Sequence, residues 1–379
     1  MSHAPFYKLL FLASAVALLG GSAALAAARA SNPVAGSAVF VATNETTNRV
    51  LMFDLTSTGE VTPTATAFPT GGSGTGTAIG SQGGIALSGA ENLLFVVNAA
   101  SNDITVFHVD NGSLTMVEKT SSGGTRPISV TVVRDILYVL NAGGQAGATD
   151  QISGFHFDDD GHLTPIPGSI QPLSAPSVNP AQIGFTPNGK ALVVTEKATN
   201  MLTIFVLDAN DKAGAPMPNP SLGTTPFGFA VTRRARVIVS EAFQDATDAS
   251  AVSSYQVDIL GGLHVVQPSV PTTETSACWV AITHDGDFVY TTNTKSNSVT
   301  GFSLSSEGIL TILNADGKTA TTGAGPIDLA ISPDDTAVYV LTSGNGGISV
   351  FSRNMTTGAL TPLQPVTGLP TSSLGIVAH

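Results

Sequence analysis

NAASNDITVFHVDNGSLT, residues 98–115, contains an asparagine, a second asparagine four residues later, an alternating apolar segment and a glycine turn. The alternation predicts a β-strand, and the glycine predicts a tight turn after it. Related segments follow six other positions, namely Asn44, Asn141, Glu196, Glu241, Asn293 and Thr342. After Asn141 and Glu241 an insert delays the strand. A strand-and-turn unit that occurs seven times predicts a repeat architecture.

A second short apolar segment precedes each copy after the first. These segments are GGIALS, ISVTVV, QIGFTP, FGFAVT, CWVAIT and IDLAIS, with aligned last residues at positions 88, 133, 186, 232, 283 and 332. Their spacings are 45, 53, 46, 51 and 49 residues. A period near fifty residues that holds four short strands is typical of a β-propeller blade. Strands such as LFVVN and LYVLN are apolar on both faces, as expected when neighbouring blades cover each sheet.

The two ends of the chain carry complementary fragments of one blade. AVFVATN, residues 38–44, is a second strand with no inner strand before it, and LGIVA, residues 374–378, is an inner strand with nothing after it. Pairing them completes the first blade and removes the exposed edges of an open sheet. The sequence therefore predicts an all-β, seven-bladed β-propeller with four antiparallel strands per blade, closed by the C-terminal strand (374–378).

The first thirty residues are unlike the repeats. Lys8 precedes an uncharged apolar run, and Ala28-Arg29-Ala30 offers a small-residue cleavage site. This pattern predicts a signal peptide over residues 1–30, followed by one propeller domain over residues 31–379. An uncleaved membrane anchor is the alternative, although alanine, glycine and serine make the run weakly hydrophobic. We therefore expect a secreted or periplasmic protein with no membrane contact after cleavage.

Charge and cysteine content restrict the partners and cofactors. The net charge of −12 becomes −14 when residues 1–30 are removed, since they hold two cations and no acid. Such a chain repels phosphate backbones, so we expect no nucleic-acid partner. Cys278 is the only cysteine, which excludes an intrachain disulfide, and no metal-ligand spacing occurs. The glycine-rich stretch 71–84 leads into a strand, so it predicts a loop over the channel and not a nucleotide site. We expect a monomer without cofactor or metal.

The Y-V-x-N-x-x-x-N-x-V-x-x-F phrase and the D-G-x-L-T turn resemble those of the seven-bladed lactonase family, which includes 6-phosphogluconolactonase and carboxymuconate-cyclising enzymes. They are equally similar to YVTN-type surface propellers. The likeness covers about the whole mature chain and rests mostly on blade-forming residues. It implies a small lactone or organic acid as the ligand, and an activity as a lactone hydrolase or a lactone-forming cycloisomerase.

Antiparallel pairing brings the start of each inner strand and the end of each second strand to one end of the channel, here called the mouth. Glu196 and Glu241 replace the asparagine that ends most second strands. Lactonase-type enzymes commonly carry Gly-Pro-Arg-His at the start of an inner strand and a glutamate at the end of the next strand. This chain has Asn179-Pro180-Ala181-Gln182 there, and then Glu196.

The resemblance implies that Glu196 is the base for an attacking water, with Arg126 and Gln182 as donors to an oxyanion. The predicted substrate-binding residues are Glu241, Trp279, Asp328, Asn98, Asn141 and Asn293. For the asparagines the alternative is a role in holding the following turn. For Trp279 the alternative is packing between blades.

Two functions remain open at this point. The first is an exported enzyme that acts on a small lactone at the mouth near Glu196. The second is a non-catalytic propeller that binds a ligand or protein outside the cytoplasm, which Ala181 and Gln182 favour because they replace the family's arginine and histidine. Cations are expected to be scarce at the mouth. The basic cluster Arg233, Arg234 and Arg236 is expected in a hairpin on the opposite face of the ring.

Overall fold

The repeated apolar segments form strands throughout the described part of the chain. The computed structural model describes residues 1, 33–110 and 112–379. Residues 2–30 of the predicted signal peptide therefore lie outside the described residues. Within the described ranges, no helix is both long and apolar enough to cross a membrane.

Sixteen strands precede residue 221. They are β1 (Pro33–Ala42), β2 (Arg49–Thr56), β3 (Thr66–Pro69), β4 (Ile85–Leu87), β5 (Leu93–Asn98), β6 (Asp103–Asp110), β7 (Ser113–Ser121), β8 (Pro127–Val133), β9 (Ile136–Ala142), β10 (Asp150–Phe157), β11 (Leu163–Pro165), β12 (Gln171–Pro172), β13 (Pro180–Phe185), β14 (Ala191–Glu196), β15 (Met201–Val206) and β16 (Met217–Pro220). The insert after Asn141 contains a short 3₁₀ helix, Gly143–Ala146.

Fifteen strands follow. They are β17 (Pro226–Val231), β18 (Arg236–Glu241), β19 (Ala251–Val257), β20 (Leu263–Pro271), β21 (Ala277–Ile282), β22 (Phe288–Asn293), β23 (Ser298–Leu304), β24 (Leu310–Ile312), β25 (Ala320–Thr321), β26 (Pro326–Ile331), β27 (Ala337–Thr342), β28 (Gly347–Arg353), β29 (Leu360–Pro362), β30 (Val366–Thr367) and β31 (Ile376–Ala378). The insert after Glu241 contains a second 3₁₀ helix, Phe243–Asp245.

The strands form seven antiparallel sheets, numbered here as blades 1 to 7. From the inner strand outwards, blade 1 is β31-β1-β2-β3, blade 2 is β4-β5-β6-β7 and blade 3 is β8-β9-β10-β11. Blades 4 and 5 are β13-β14-β15-β16 and β17-β18-β19-β20. Blades 6 and 7 are β21-β22-β23-β24 and β26-β27-β28-β29. The short strands β12, β25 and β30 pair with the third strands of blades 3, 6 and 7. The predicted seven-bladed propeller is confirmed.

The two ends of the chain pair as the sequence predicts. Residues Val39, Phe40 and Val41 of β1 lie opposite Ala378, Val377 and Ile376 of β31. The hydrogen bonding extends beyond β31, because Leu374 N–H donates to the carbonyl of Ala42 at 2.7 Å. The C-terminal strand therefore closes the ring by completing blade 1.

Tyrosines in three second strands connect consecutive blades. The hydroxyl of Tyr138 in blade 3 donates to the carbonyl of Asp211 in blade 4, at 2.9 Å. Tyr290 donates in the same way to Gly358, at 2.7 Å, and Tyr339 donates to Gly59, at 3.0 Å. The hairpin between the third and fourth strands of blades 4, 7 and 1 is thus hydrogen-bonded to the preceding blade. The tyrosine ring fills the apolar space between the two sheets.

The second asparagine of the repeated phrase fixes the start of the next blade. The side-chain oxygen of Asn102 in blade 2 accepts a hydrogen bond from the backbone N–H of Arg126, at 2.7 Å. The equivalent Asn200 accepts from Thr225, also at 2.7 Å. These bonds orient the residue that precedes the proline of the following inner strand, so the N-x-x-x-N phrase both ends one blade and positions the next.

Candidate functional site at the channel mouth

Glu196 lies at the end of β14 and is fully buried. Its carboxyl oxygens accept hydrogen bonds from Ser174 N–H at 3.1 Å, from the Ser174 hydroxyl, from Thr199 Oγ1 at 2.7 Å and from Thr203 Oγ1 at 2.6 Å. These donors belong to blade 4 and to the loop that leads into it. The predicted catalytic role therefore stays a prediction, and the hydrogen bonds that Glu196 makes connect parts of its own blade.

Glu241 has the same environment in blade 5. Its carboxyl group is fully buried and accepts hydrogen bonds from Gly223 N–H at 2.9 Å and from the hydroxyls of Ser253 and Ser269. Glu196 and Glu241 are each directed into their own blade. The predicted substrate-binding role of Glu241 stays a prediction.

The predicted substrate ligands Asn98, Asn141 and Asn293 occupy the same position in blades 2, 3 and 6 and are fully buried. The Nδ2 atom of each donates to a hydroxyl on the third strand of its blade. The pairs are Asn98 to Thr105 at 2.9 Å, Asn141 to Ser153 at 3.1 Å and Asn293 to Thr300 at 2.9 Å. The asparagines donate to hydroxyls where the glutamates accept from them, so this buried polar position binds hydroxyl groups in each of blades 2 to 6.

Gln182 connects two inner strands. Its Nε2 atom donates to the carbonyl of Phe229 in blade 5 at 2.9 Å, and its Oε1 atom accepts from Phe229 N–H at 2.7 Å. Both functions of the amide are therefore used between blades 4 and 5. The NH₂ group carries two N–H donors, so one remains after the bond to Phe229, and the predicted role of Gln182 as an oxyanion donor stays a prediction.

Residues 79–84, here called the hub segment, cross the centre of the ring. Trp279 Nε1 in blade 6 donates to the carbonyl of Ser81 at 2.8 Å, and Ser81 Oγ donates to Ile128 in blade 3 at 3.2 Å. The Gln82 amide both donates to and accepts from the backbone of Val280, at 2.9 and 3.1 Å. The hub segment thus contacts blades on opposite sides of the channel and fills its centre at the mouth.

Lys197 follows Glu196 and reaches the mouth. Its ammonium group donates to the carbonyl of Gly80 in the hub segment and lies 4.6 Å from the centroid of the Phe227 ring. The Phe227 ring in turn packs against Trp279, with centroids 4.8 Å apart. Burial lowers the pKa of Lys197 to about 8, and the positive charge of Arg126 acts in the same direction. Lys197 is one of the cations that the sequence-based expectation of a cation-poor mouth missed.

Arg126 is the neighbouring cation. Its Nη1 atom donates to Gln145 Oε1 at 2.6 Å, and Gln145 donates to Asn179 Oδ1. Gln145 comes from the insert of blade 3, so the insert links the residues that precede two inner strands. Arg126 and Lys197 lie close enough for their charges to interact, whereas Glu196 and Gln182 are bonded elsewhere.

The insert of blade 5 brings a further ion pair to the mouth. Asp245 Oδ2 lies 3.0 Å from Lys295 Nζ of blade 6, and Asp245 Oδ1 accepts from Ser276 Oγ at 2.6 Å. Phe243, Gln244 and Asp245 all have positive φ angles of 48°, 53° and 63°. Three consecutive non-glycine residues in this region store backbone strain. The strained turn places the carboxylate of Asp245 beside Lys295.

The two remaining predicted ligands, Trp279 and Asp328, are buried in the inner strands. Trp279 packs between blades, as its alternative interpretation stated, and also binds the hub segment. Asp328 accepts hydrogen bonds from Leu329 N–H at 2.9 Å and from Ile376 N–H of β31 at 3.3 Å. Burial raises the pKa of Asp328 to about 8. Its carboxyl group thus hydrogen-bonds the inner strand of blade 7 to the inner strand of blade 1.

Two cations at the mouth, Lys197 and Lys295, therefore lie one and two places beyond the strand ends that sequence analysis singled out. Lys197 and Lys295 were missed because the reasoning stopped at the strand ends Glu196 and Asn293. A polar residue that ends a strand with apolar faces is usually turned into the sheet, and its successor is the first residue free to face the channel. That signal was present in the sequence.

A model of the seven-bladed β-propeller lactonase family matches residues 31–175 and 252–373. The chain belongs to that family. The stretch between the two matched ranges carries Gln182, Glu196 and Glu241. In this lactonase-family propeller, the third predicted catalytic residue, Arg126, lies inside the first matched range.

Individual relatives are distant. The 6-phosphogluconolactonase of Bacillus subtilis is 20% identical over 303 residues, which cover 76% of this chain and 84% of that protein. The periplasmic gluconolactonase of Pseudomonas aeruginosa has a similar structure, with a TM-score of 0.68 and 17% identity over 89% of this chain and 98% of the other. A protein from Lactobacillus plantarum gives a TM-score of 0.71 at 16% identity, over 91% of this chain and all of the other. At these identities the structural likeness supports the fold alone.

Proposed function

We propose that this lactonase-family propeller is an exported binding protein that holds a small hydroxy acid or lactone at the mouth without hydrolysing it. The observation that carries the proposal is the environment of Glu196. A general base needs a free lone pair that reaches the attacking water, whereas the Glu196 carboxyl group is fully buried and receives four hydrogen bonds.

The ligand class follows from the groups that remain at the mouth. Lys197 and Arg126 supply positive charge on one side, and Phe227 supplies an aromatic surface under Lys197. Asn179 and Gln145 add uncharged polar atoms that suit hydroxyl groups. A small polyhydroxy acid presents a carboxylate and hydroxyls in the same molecule, so it matches both kinds of group.

Hydrolysis at the same mouth is the second candidate, and family membership favours it. Lys197 is the group there whose pKa, about 8, suits proton transfer near neutral pH. Such an enzyme would use Lys197 in place of Glu196, and the hub segment would have to leave the centre of the mouth to admit a lactone.

The two candidates are separated by assaying binding and turnover on the same samples. We expect calorimetry to detect D-gluconate binding to the mature protein, and pH-stat titration to detect no acid release from D-glucono-1,5-lactone above the spontaneous rate. Turnover that Glu196→Gln abolishes would restore the catalytic role of Glu196. Turnover that only Lys197→Met abolishes would establish the second candidate.

The binding proposal also has a pH signature. Because the pKa of Lys197 is about 8, its ammonium group loses its proton as the pH rises from 7 to 9, and gluconate affinity should fall several-fold over that range. Lys197→Arg is the matched control, since a guanidinium stays charged above pH 12. Its affinity should stay constant, and an equal loss in both proteins would contradict the assignment of Lys197 to the ligand.

Export is proposed from the composition of residues 1–30. We expect the mature protein to begin at Ser31 and to be recovered outside the cytoplasm after fractionation of the producing cells. Intact mass spectrometry tests both cleavage and its position. A full-length chain in the soluble cytoplasmic fraction would overturn the proposed localisation, and a full-length chain in the membrane fraction would support an uncleaved anchor.

A further inference from the structure

A cavity of about 480 Å³ opens on the face opposite the mouth, between the first hairpins of blades 5 and 6. Its floor is apolar and includes Val231, Ile282 and Leu304. Its rim is formed by Thr232, Arg233, Arg234 and Arg236 from blade 5 and by residues 283–287 and 305–306 from blade 6. A concave site of this size, with an apolar floor and a few polar groups, is of the kind that takes a small organic molecule.

The rim gathers three of the chain's fifteen cationic side chains, although the chain as a whole is acidic. Arg233 and Arg234 are exposed, and neither is in a salt bridge among those of the described residues. Arg234 Nη1 donates to the carbonyl of Ser306 at 3.2 Å, which holds the guanidinium across the cavity from its own blade. Arg236 Nε is buried and has no hydrogen-bond partner in the described structure. Arg236 Nη1 donates to Gln256 Oε1 within blade 5, whereas Arg233 and Arg234 retain N–H groups for an added acceptor.

The acidic groups at this rim are partly engaged by other residues. Asp285 Oδ2 pairs with the fully buried Arg353, whose Nη2 atom lies 3.0 Å away. Asp335, which also neighbours Arg353, accepts from His284 Nδ1 at 2.8 Å, so His284 retains Nε2. Asp287 and Glu307 are exposed carboxylates near the rim, so the four carboxylates and four guanidinium groups around the cavity balance in number, and an anion would be held by direct hydrogen bonds and not by an excess of positive charge.

The hairpin of blade 3 provides an internal comparison. There Arg134 lies in the equivalent turn on the same face, but its guanidinium pairs with Asp211 of blade 4 at 3.2 Å. The blade 3–4 joint therefore neutralises its cation within the protein. At the blade 5–6 joint Arg233 and Arg234 instead lie exposed beside a cavity and outside the salt bridges of the described residues, so their N–H groups are accessible to an external carboxylate or phosphate.

We propose that the cavity between blades 5 and 6 is a second binding site, which takes a small organic anion. Its carboxylate or phosphate group binds Arg233 and Arg234, and its carbon skeleton lies on Val231, Ile282 and Leu304. The site is separate from the mouth and does not depend on the function proposed there.

The test measures binding of defined anions to the mature protein at low ionic strength. Calorimetry with glucose 6-phosphate and with benzoate should show saturable binding, and glucose, the neutral counterpart of the first probe, should not bind. Arg233→Gln combined with Arg234→Gln should weaken the binding of both anions at least tenfold. Both side chains are exposed, so the double variant should fold, which circular dichroism and thermal unfolding will verify.

Two control variants decide between this site and a general charge effect. Arg134→Gln removes a cation from the same face and should not change the affinity for either anion; Lys197→Met removes a cation from the mouth and should not change the affinity for benzoate, which lacks the hydroxyl groups of the ligand proposed there. Equal weakening in Arg134→Gln would show a general charge effect and overturn the proposal. Loss in Lys197→Met alone would assign the anion to the mouth, and absence of binding by both probes at millimolar concentration would also overturn the proposal.

Discussion

At the scale of single residues, the ends of the second strands show that either asparagine or glutamate can hydrogen-bond the same hydroxyl position. In blades 2, 3 and 6 an asparagine Nδ2 atom donates to a hydroxyl, and in blades 4 and 5 a glutamate accepts from hydroxyls. Hydroxyl groups rotate and can act as donor or acceptor. The change from asparagine to glutamate therefore keeps the hydrogen bonds between the second and third strands of the blade. By itself the change indicates no catalytic role.

This interpretation predicts how Glu196 tolerates replacement. Glu196→Gln keeps one acceptor oxygen, and the hydroxyls of Thr199 and Thr203 can turn to accept from the new amide, so the free energy of unfolding should change by about 1 kcal/mol or less. Glu196→Ala leaves Ser174 N–H and three hydroxyls unpaired and opens a cavity, which should cost about 3 kcal/mol or more. Urea denaturation measures both values.

Glu241 supplies the matched pair for this prediction. Glu241→Gln and Glu241→Ala should differ in the same sense, because Gly223 N–H and two serines take the place of the partners of Glu196. If both glutamine variants are as unstable as the alanine variants, then the negative charge itself is needed, and the equivalence with the asparagines is wrong.

The site was harder to predict than the fold for a reason visible at these residues. Periodicity reports which positions recur, and recurring polar positions are the ones that every blade needs for its own construction. The sequence therefore pointed to Asn98, Asn141 and Glu196, which are buried inside the blades. Lys197, Gln145 and Asp245 do not recur, since two of them lie in inserts, and their convergence at the mouth depends on the path of loops that carry no periodic signal.

At the scale of elements, neighbouring inner strands are joined by a side chain two places after the usual proline. Ser129 Oγ accepts from Ile183 N–H at 3.3 Å, and Gln182 Oε1 accepts from Phe229 N–H at 2.7 Å. In blade 5 this position is Gly228, which has no side chain to offer. Gln82 of the hub segment fills the gap by accepting from Val280 N–H. A Cβ atom at residue 228 would lie only 2.2 Å from Gln82 Oε1, so the glycine makes room for the amide.

This predicts a local effect of Gln82→Leu. The substitution leaves the N–H and carbonyl of Val280 unpaired in the interior, so we expect a loss of about 1–3 kcal/mol in the free energy of unfolding. Hydrogen exchange at the Val280 amide should accelerate, while the Phe229 amide should keep its protection. Gln182→Leu should produce the reverse pattern. Acceleration at both amides in both variants would mean that the joints open together and that the hub segment has no specific partner.

At the scale of the whole molecule, the ring closes because its first and last segments are parts of one sheet. This closure was predictable, since an unmatched second strand at one end and an unmatched inner strand at the other leave a single arrangement without open edges. The order of β31-β1-β2-β3 confirms it. Sequence alone did not show that Asp328 of blade 7 accepts a hydrogen bond from Ile376 N–H of the closing strand. That contact depends on how the inner strands of blades 7 and 1 align.

Asp328 gives the closure a pH dependence. Burial raises its pKa to about 8 in the folded protein, against an ordinary value near 4 for an unfolded chain. The folded state therefore retains a proton that the unfolded state has lost, and the stability that this proton confers is lost as the pH rises through about 8. Between pH 6 and pH 9 the loss should be about 2–3 kcal/mol, because each unit of pKa is worth about 1.4 kcal/mol.

Asp328→Asn removes this titration while keeping an amide oxygen that can accept from Leu329 N–H or Ile376 N–H. We expect urea denaturation to show that the wild type loses about 2–3 kcal/mol more than the variant between pH 6 and pH 9; the comparison cancels the contribution of Lys197, which both proteins share. Asp334→Asn is the control, since the pKa of Asp334 is lowered and it stays ionised throughout this range. If wild type and Asp328→Asn lose stability in parallel, then the carboxyl group is already ionised at pH 6, and the two backbone N–H groups that donate to it outweigh the cost of its burial.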